Sequence, residues 1–130
     1  MPKLTYDIPI VPMGKPRMTQ RDRWKKRPVV VRYRAWCDEL RLHVKDLPET
    51  HLIDDFSWTA VIPMPKSWSR KKRTEHCGQI HRSRPDRDNI DKAILDCLFK
   101  EDSGIGPGRL DKRWGETGRL TIEIEHRNES

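Results

Sequence analysis

The segment from Arg84 to Phe99 reads RPDRDNIDKAILDCLF and sets four aspartates and one lysine among Ile, Leu and Phe. Ile90, Ala93, Ile94, Cys97 and Leu98 fall at i, i+3, i+4, i+7 and i+8, which gathers them on one face of a helix. Pro85 limits how far that helix can extend backwards, and SGIGPG at 103–108 breaks it. The pattern predicts a helix starting at Asp88, with Asp88 capping first-turn amides and Asp91 placed well against the positive end of the dipole. Capping uses one carboxylate. It leaves Asp86 two residues ahead in an extended entry, with Lys92 one turn after Asp88 and Asp96 one turn after Lys92 on a common stripe. Leu95 and Phe99 border the stripe, so the helix is expected to be partly covered on both sides.

Working outward, Leu4, Tyr6, Ile8 and Ile10 alternate as in a strand, which Pro9 and Pro12 confine to an edge or a strand end. Residues 13–29 show no period and read as a basic loop. Tyr33, Trp36, Cys37, Leu40, Val44 and Leu47 recur at helical spacing from about Val31, and Pro48 stops them. Phe56, Trp58, Ala60 and Ile62 alternate as a strand ending at Pro63 or Pro65. KSWSRKKRTEH predicts a short basic helix with Ser67 as its N-cap, and CGQIHRSRP a loop. RLDKRW, the turn GETG, and Leu120, Ile122 and Ile124 read as a β-hairpin. Interspersed strands and helices with a tight final turn favour an α+β fold, a small mixed sheet with helices packed on it, over a doubly wound one.

The 130 residues suit one domain spanning 1–130. Hydrophobic residues make up 34% and charged residues 36%, so the core is lean and a second subunit is expected to cover part of the apolar surface. A net charge of +7 favours polyanionic partners, nucleic acid first. Nine Lys or Arg and one acid, Asp22, lie between Lys15 and Arg34, and KSWSRKKR at 66–73 forms a second cluster. No apolar run is long enough to span a bilayer and the N-terminus lacks a signal pattern, so a soluble intracellular protein is expected, with no membrane partner. Cys37, Cys77 and Cys97 form no Cys-x-x-Cys pair, which argues against a disulfide scaffold or zinc ribbon. His76, Cys77 and His81 lack a fourth ligand for zinc and read as loop residues.

Carboxylates held close repel unless a cation neutralises them, and Asp oxygens suit Mg²⁺ or Mn²⁺. Such ions serve phosphodiester cleavage, with a nearby lysine stabilising charge on the phosphate. Helix capping and metal binding both fit these residues, and the basic surroundings favour a nuclease. At this point RPDRDNIDKAILDCL resembles the Asp-x-Asp-Asn-x-x-Lys-x-x-x-Asp segment of RusA-type Holliday-junction resolvases. The likeness extends to the KPR loop, the helix around YRAW, PKSWSRKKR, and the ending KRWGETGRLTIEIE.

The resemblance implies a RusA-like fold and a homodimeric, Mg²⁺-dependent endonuclease that makes paired cuts in four-way DNA junctions, with no small-molecule substrate. It implies a bacterial cytoplasmic protein, of chromosomal or phage origin. Carried across, Asp86 and Asp88 match catalytic carboxylates, Lys92 the catalytic lysine, Asn89 the motif asparagine and Asp96 the later helix acid. Asp102 is the match for the third metal-binding aspartate, although SGIGPG departs from the family pattern there and leaves Glu101 or Asp111 as substitutes.

The basic segments supply the expected DNA contacts: Lys15, Arg17, Arg21, Arg23, Lys25 and Lys26 in the loop, and Arg70, Lys71, Lys72 and Arg73 in the second cluster. Each phosphate neutralised steepens the log–log salt dependence of duplex binding by about 0.9. Trp36 and Trp58 are expected in the core, Trp68 and Trp114 in packing, and Trp24 is open between packing and base stacking. Two rival readings stand beside the nuclease: a non-catalytic DNA-binding protein whose aspartates only cap a helix, and an RNA-binding or RNA-cleaving module.

Overall fold

In the computed structural model, which describes residues 2–17 and 27–128, the chain is built around one strand whose side chains alternate across a sheet. That strand, β2 (Ile53–Pro63), sends Phe56, Trp58 and Ala60 to one face and leaves Ser57 and Thr59 on the other. It is flanked by β3 (Leu110–Gly115) and β4 (Arg119–His126), and β4 pairs in turn with β1 (Lys3–Ile8). The order is β1-β4-β2-β3, with β2 and β3 parallel and the other pairs antiparallel, a small mixed sheet as expected.

Leu120, Ile122 and Ile124 of β4 join Phe56, Trp58 and Ala60 on the buried face. Two helices supply the other side of the core. Tyr33, Trp36, Cys37 and Leu40 come from α1 (Pro28–His43), and Ile90, Ala93, Ile94 and Cys97 from α3 (Arg87–Leu98). Tyr33 Oη donates to the Ala93 carbonyl at 3.1 Å and Cys97 Sγ to the Cys37 carbonyl at 3.3 Å, so polar groups between the helices are paired. Leu98 of that face and, beyond it, Leu95 and Phe99 are half-buried, and Phe99 meets Phe56 edge-on at 5.9 Å. Trp36 and Trp58 lie in the core as predicted, at 7% and 1% exposure.

The expected hairpin does not form. β3 runs parallel to β2 from Trp58↔Leu110 to Pro63↔Gly115, and β4 lies on β2's far side. The turn after Gly115 therefore crosses the end of β2, where Met64 N donates to the Gly115 carbonyl at 3.0 Å. Pro63 and Pro65 explain why: a proline offers no ladder amide, so β2 stops and leaves room for the crossing chain.

Other boundaries shift by a few residues. α1 starts at Pro28 rather than near Val31, because proline is favoured in the first helical turn, and it ends at His43. Val44 turns to an extended backbone, so Leu47 reaches the core from outside the helix. The short helix α2 is Arg70–His76, and its N-cap is Ser69, whose Oγ accepts from Lys72 N at 3.2 Å, not Ser67. α3 begins at Arg87 with Asp86, not Asp88, in the N-cap place.

SGIGPG does more than end α3. Its backbone runs along β2, with Gly106 N on the Ile53 carbonyl and Phe56 N on the Pro107 carbonyl, each at 2.9 Å, before β3 begins. A Cβ on Gly108 would collide with the Phe56 carbonyl, which no side-chain rotation relieves. Gly108→Ala is therefore expected to cost about 1–3 kcal/mol in a denaturant melt, and an unchanged midpoint would contradict this account.

Candidate active site at the entrance to the third helix

Asp86 holds the N-cap position of α3, and its carbonyl accepts from Asn89 N and Ile90 N, each at 3.0 Å. Its side chain makes no capping bond. Asp86 thus takes the N-cap place expected of Asp88, yet its carboxylate is not used by the helix. Asp88, in the first turn, is almost fully exposed, with Arg87 Nε a long 3.9 Å away. Lys92 stands one turn beyond Asp88 and is exposed.

The chain reaches Asp86 along a scaffolded path. Gly78–His81 runs beside β3 as an edge segment: Gly78 N donates to the Trp114 carbonyl, Trp114 N to the Gln79 carbonyl and His81 N to the Lys112 carbonyl. Ile80 and Arg113 form an antiparallel bridge. Lys112, paired with Ala60 and so on the helix-bearing side, sends Nζ to the carbonyls of Ser83 and Pro85, both at 2.7 Å. It thus grips the residues just before Asp86. Burial pulls the Lys112 ammonium below its ordinary value, and the Asp86 charge opposes that pull. A lysine in an alternating strand gives no sign in sequence of this use.

Asp91 is the second residue that sequence reasoning undervalued. It is half-buried, and Trp58 Nε1 donates to its Oδ1 at 2.9 Å. Burial raises its pKa above 3.8, the indole bond opposes the rise, and the charges of Asp88 and Asp102 add to it. The acids at the start of α3 and after its end are therefore electrostatically linked through Asp91. Asp102 itself is exposed, in the loop after α3. Of the substitutes, Glu101 is engaged by Ser103 N at 3.1 Å, which holds it below its ordinary value. Asp111 pairs with Thr59 and so lies on the sheet face away from α3, where Arg113 Nε bonds it at 2.9 Å.

The donors suit a hard divalent cation in kind, carboxylate oxygens with Asp86 free of helix duty. Among the described residues, however, no three His, Cys, Asp or Glu side chains are gathered closely enough to hold a metal. His76 and His81 are employed otherwise, against Trp68 and Trp114.

Cations line the other flank. Lys15, Pro16, Arg17, Asn89 and Lys92 bound an open cleft of about 550 Å³. Lys15 N bonds the Asn89 carbonyl at 3.2 Å and Lys15 Nζ pairs with Asp96 at 2.6 Å, which gives the later helix acid a structural role. A Cβ on Gly14 would meet the Asn89 side chain at 2.7 Å, so glycine permits this close seat. Arg21, Arg23, Lys25, Lys26 and Trp24 lie outside the described residues. On α2, Arg70 and Lys71 are exposed, Lys72 Nζ stands 4.3 Å from the Trp68 ring centre, and Arg73 pairs with Glu116 at 3.1 Å.

Exposed acids at a helix entrance, faced by a cleft of lysine and arginine, are the equipment of an enzyme that cuts a phosphate backbone. The family comparison makes this specific: the model of the endodeoxyribonuclease RusA family matches residues 7–125, nearly the whole chain, and the protein belongs to that family. It is an endodeoxyribonuclease, a hydrolase of DNA phosphodiester bonds. The family acts on Holliday junctions and depends on divalent metal. No curated protein matches the chain. No helix among the described residues is long and apolar enough to cross a membrane.

Two outcomes test this geometry. Because the folded pKa of Asp91 is raised, the native state holds its proton more tightly than the unfolded chain, and stability falls as pH rises above 3.8. Asp91→Asn keeps an acceptor for Trp58 and is expected to raise the melting temperature more at pH 7 than at pH 4. Lys112→Met is expected to slow cleavage with junction affinity retained. Equal losses in both would mean that Lys112 does not act by placing Asp86.

Proposed function

We propose that the protein resolves Holliday junctions by paired symmetric cuts, in recombination and repair, as a homodimer using Mg²⁺, with Mn²⁺ as a substitute. Asp86, Asp88 and Asp102, which this structure does not gather into one cluster, would be the residues to hold the ion, and a divalent ion bound there would supply Lewis acidity toward the phosphate. Lys92 offers its ammonium to charge developing on the phosphate. Lys15 and Arg17 hold the adjoining backbone, with Arg21, Arg23, Lys25 and Lys26 extending that grip and Arg70, Lys71, Lys72 and Arg73 engaging a second arm.

The observation that carries this reading is Asp86 at the N-cap with its side chain unspent. A helix acid kept only for capping would bond its own first-turn amides. Two matched cuts in a two-fold substrate call for two sites, which a C₂ dimer supplies. Val31 and Leu42 on α1, at 45% and 68% exposure, are apolar surface of the kind a second copy covers. A junction-cutting role is in keeping with action in the bacterial cytoplasm, where such DNA lies.

The test is a synthetic four-way junction and a matching linear duplex, each with Mg²⁺ or chelator. Wild type is expected to nick the junction symmetrically and leave the duplex intact, with activity lost in chelator. Asp86→Asn is expected to reduce nicking at least about a hundredfold while binding persists. Tight binding without cleavage under any divalent metal would overturn the proposal, as would cleavage of RNA in preference to junctions.

A further inference from the structure

The segment that delivers Asp86 also builds a second feature. α2 has no buried residue, so it is not held by the main core. It is held by a ladder of rings: His76 lies 4.9 Å from Trp68, Trp68 4.7 Å from Trp114, and Trp114 4.0 Å from His81, centre to centre. His81 is 3% exposed, and among the described residues its Nδ1 has no hydrogen-bond partner. The two indoles are only half-buried. Between the ladder and residues 79–83 runs an open groove of about 540 Å³, with Lys72, Arg82 and one acid, Glu75, on its walls and Ile80 exposed at its edge.

The half-buried indoles leave apolar ring surface in water beside cations. Lys72 Nζ stands over the Trp68 ring at 4.3 Å, occupying a π-face with a cation on a flexible, exposed stem. A flat, electron-poor ring can replace that ammonium, and the lysine is then free to meet the phosphate that accompanies it. A nucleobase with its backbone has both parts. Paired duplex bases do not present their faces. Bases at a branch can.

We propose that the groove between Trp68, Trp114 and the 79–83 segment binds one unpaired nucleotide of the DNA substrate, its base stacked on the indole ladder and its phosphate met by Lys72 and Arg82. This rests on the reading of the protein as a junction-cutting enzyme and adds a reason for junction preference. The groove is coupled to the cutting site through chain connectivity, because Ile80 and Arg82 lie only a few residues before Asp86 and that stretch is pinned by Lys112. A base captured there fixes the position of the strand relative to the carboxylates. Stacking of this kind carries no strong sequence preference, since every base has a π-face.

The test places 2-aminopurine at each branch position of a synthetic four-way junction, with chelator present so that no cutting occurs. Wild type is expected to quench the probe at one branch position, and not in a blunt duplex. Trp68→Leu is expected to abolish the quenching and weaken junction binding by about 5- to 100-fold. Because Trp68 also anchors α2, Ile80→Glu provides a second variant that leaves every ring in place and sets a carboxylate at the groove edge, with the same loss expected. Quenching and affinity equal to wild type in either folded variant, or no quenching at any branch position, would overturn the groove assignment even if wild type cuts junctions. Groove-dependent quenching in a protein that never cuts would instead uphold the groove and remove the cleavage reading.

Discussion

The parallel pairing of β3 with β2 is the constraint on which the rest of the structure depends. It turns alternate β3 residues toward the helices, so Leu110 enters the core's edge, Lys112 reaches the loop before Asp86, and Trp114 supports His81. It also leaves β3's outer edge to pair with Gly78–His81. A sheet ending in a β3–β4 hairpin would place none of these groups under the entrance to α3. The pairing in turn needs glycines before β3, because Gly108 lies against the Phe56 carbonyl with no space for a side chain.

The site is an electrostatic arrangement as much as a geometric one. Acids at the start of α3 face cations from the segment at Lys15 and Arg17, and the Lys15–Asp96 pair ties that segment to the helix. Asp91 is placed where burial and two neighbouring charges disfavour its ionisation, with the Trp58 indole opposing them. Groups held against their electrostatic preference are common where function, not stability, sets the arrangement. The neighbouring Trp68–Trp114 surface repeats this on the apolar side, with aromatic area left in water beside lysine and arginine.

Much of the fold was legible in the residues because periodicity is a local signal. The apolar face of α3 and the alternation in β2 follow from spacing alone, and the edge position of β1 from Pro9 and Pro12. The hairpin was misread for the same reason. GETG between two short strands looks identical whether the strands pair with each other or straddle a third, and only the prolines at the end of β2 hint at the difference. The N-caps were each misplaced by two residues, since several Ser or Asp candidates stood close together and geometry chose among them. Within the site, Asp86 and Asp88 stood out because capping could not absorb both. Lys112 and Asp91 did not, because a strand lysine reads as surface and a first-turn acid as dipole compensation. Their roles arise from contacts with residues far away in the chain.

The strand order also has a consequence for how the enzyme comes into being. Among the described residues β1 has β4 as its only sheet neighbour, and β2 has β3 and β4, so no described strand ahead of Leu110 pairs with another ahead of Leu110. During synthesis the basic segments and the aspartates leave the ribosome before the strands that will organise them. The sheet can close only when β4 arrives. A nascent chain therefore carries the cations that attract DNA without the framework that aligns them for cutting, and nuclease competence is withheld until β4 has been made.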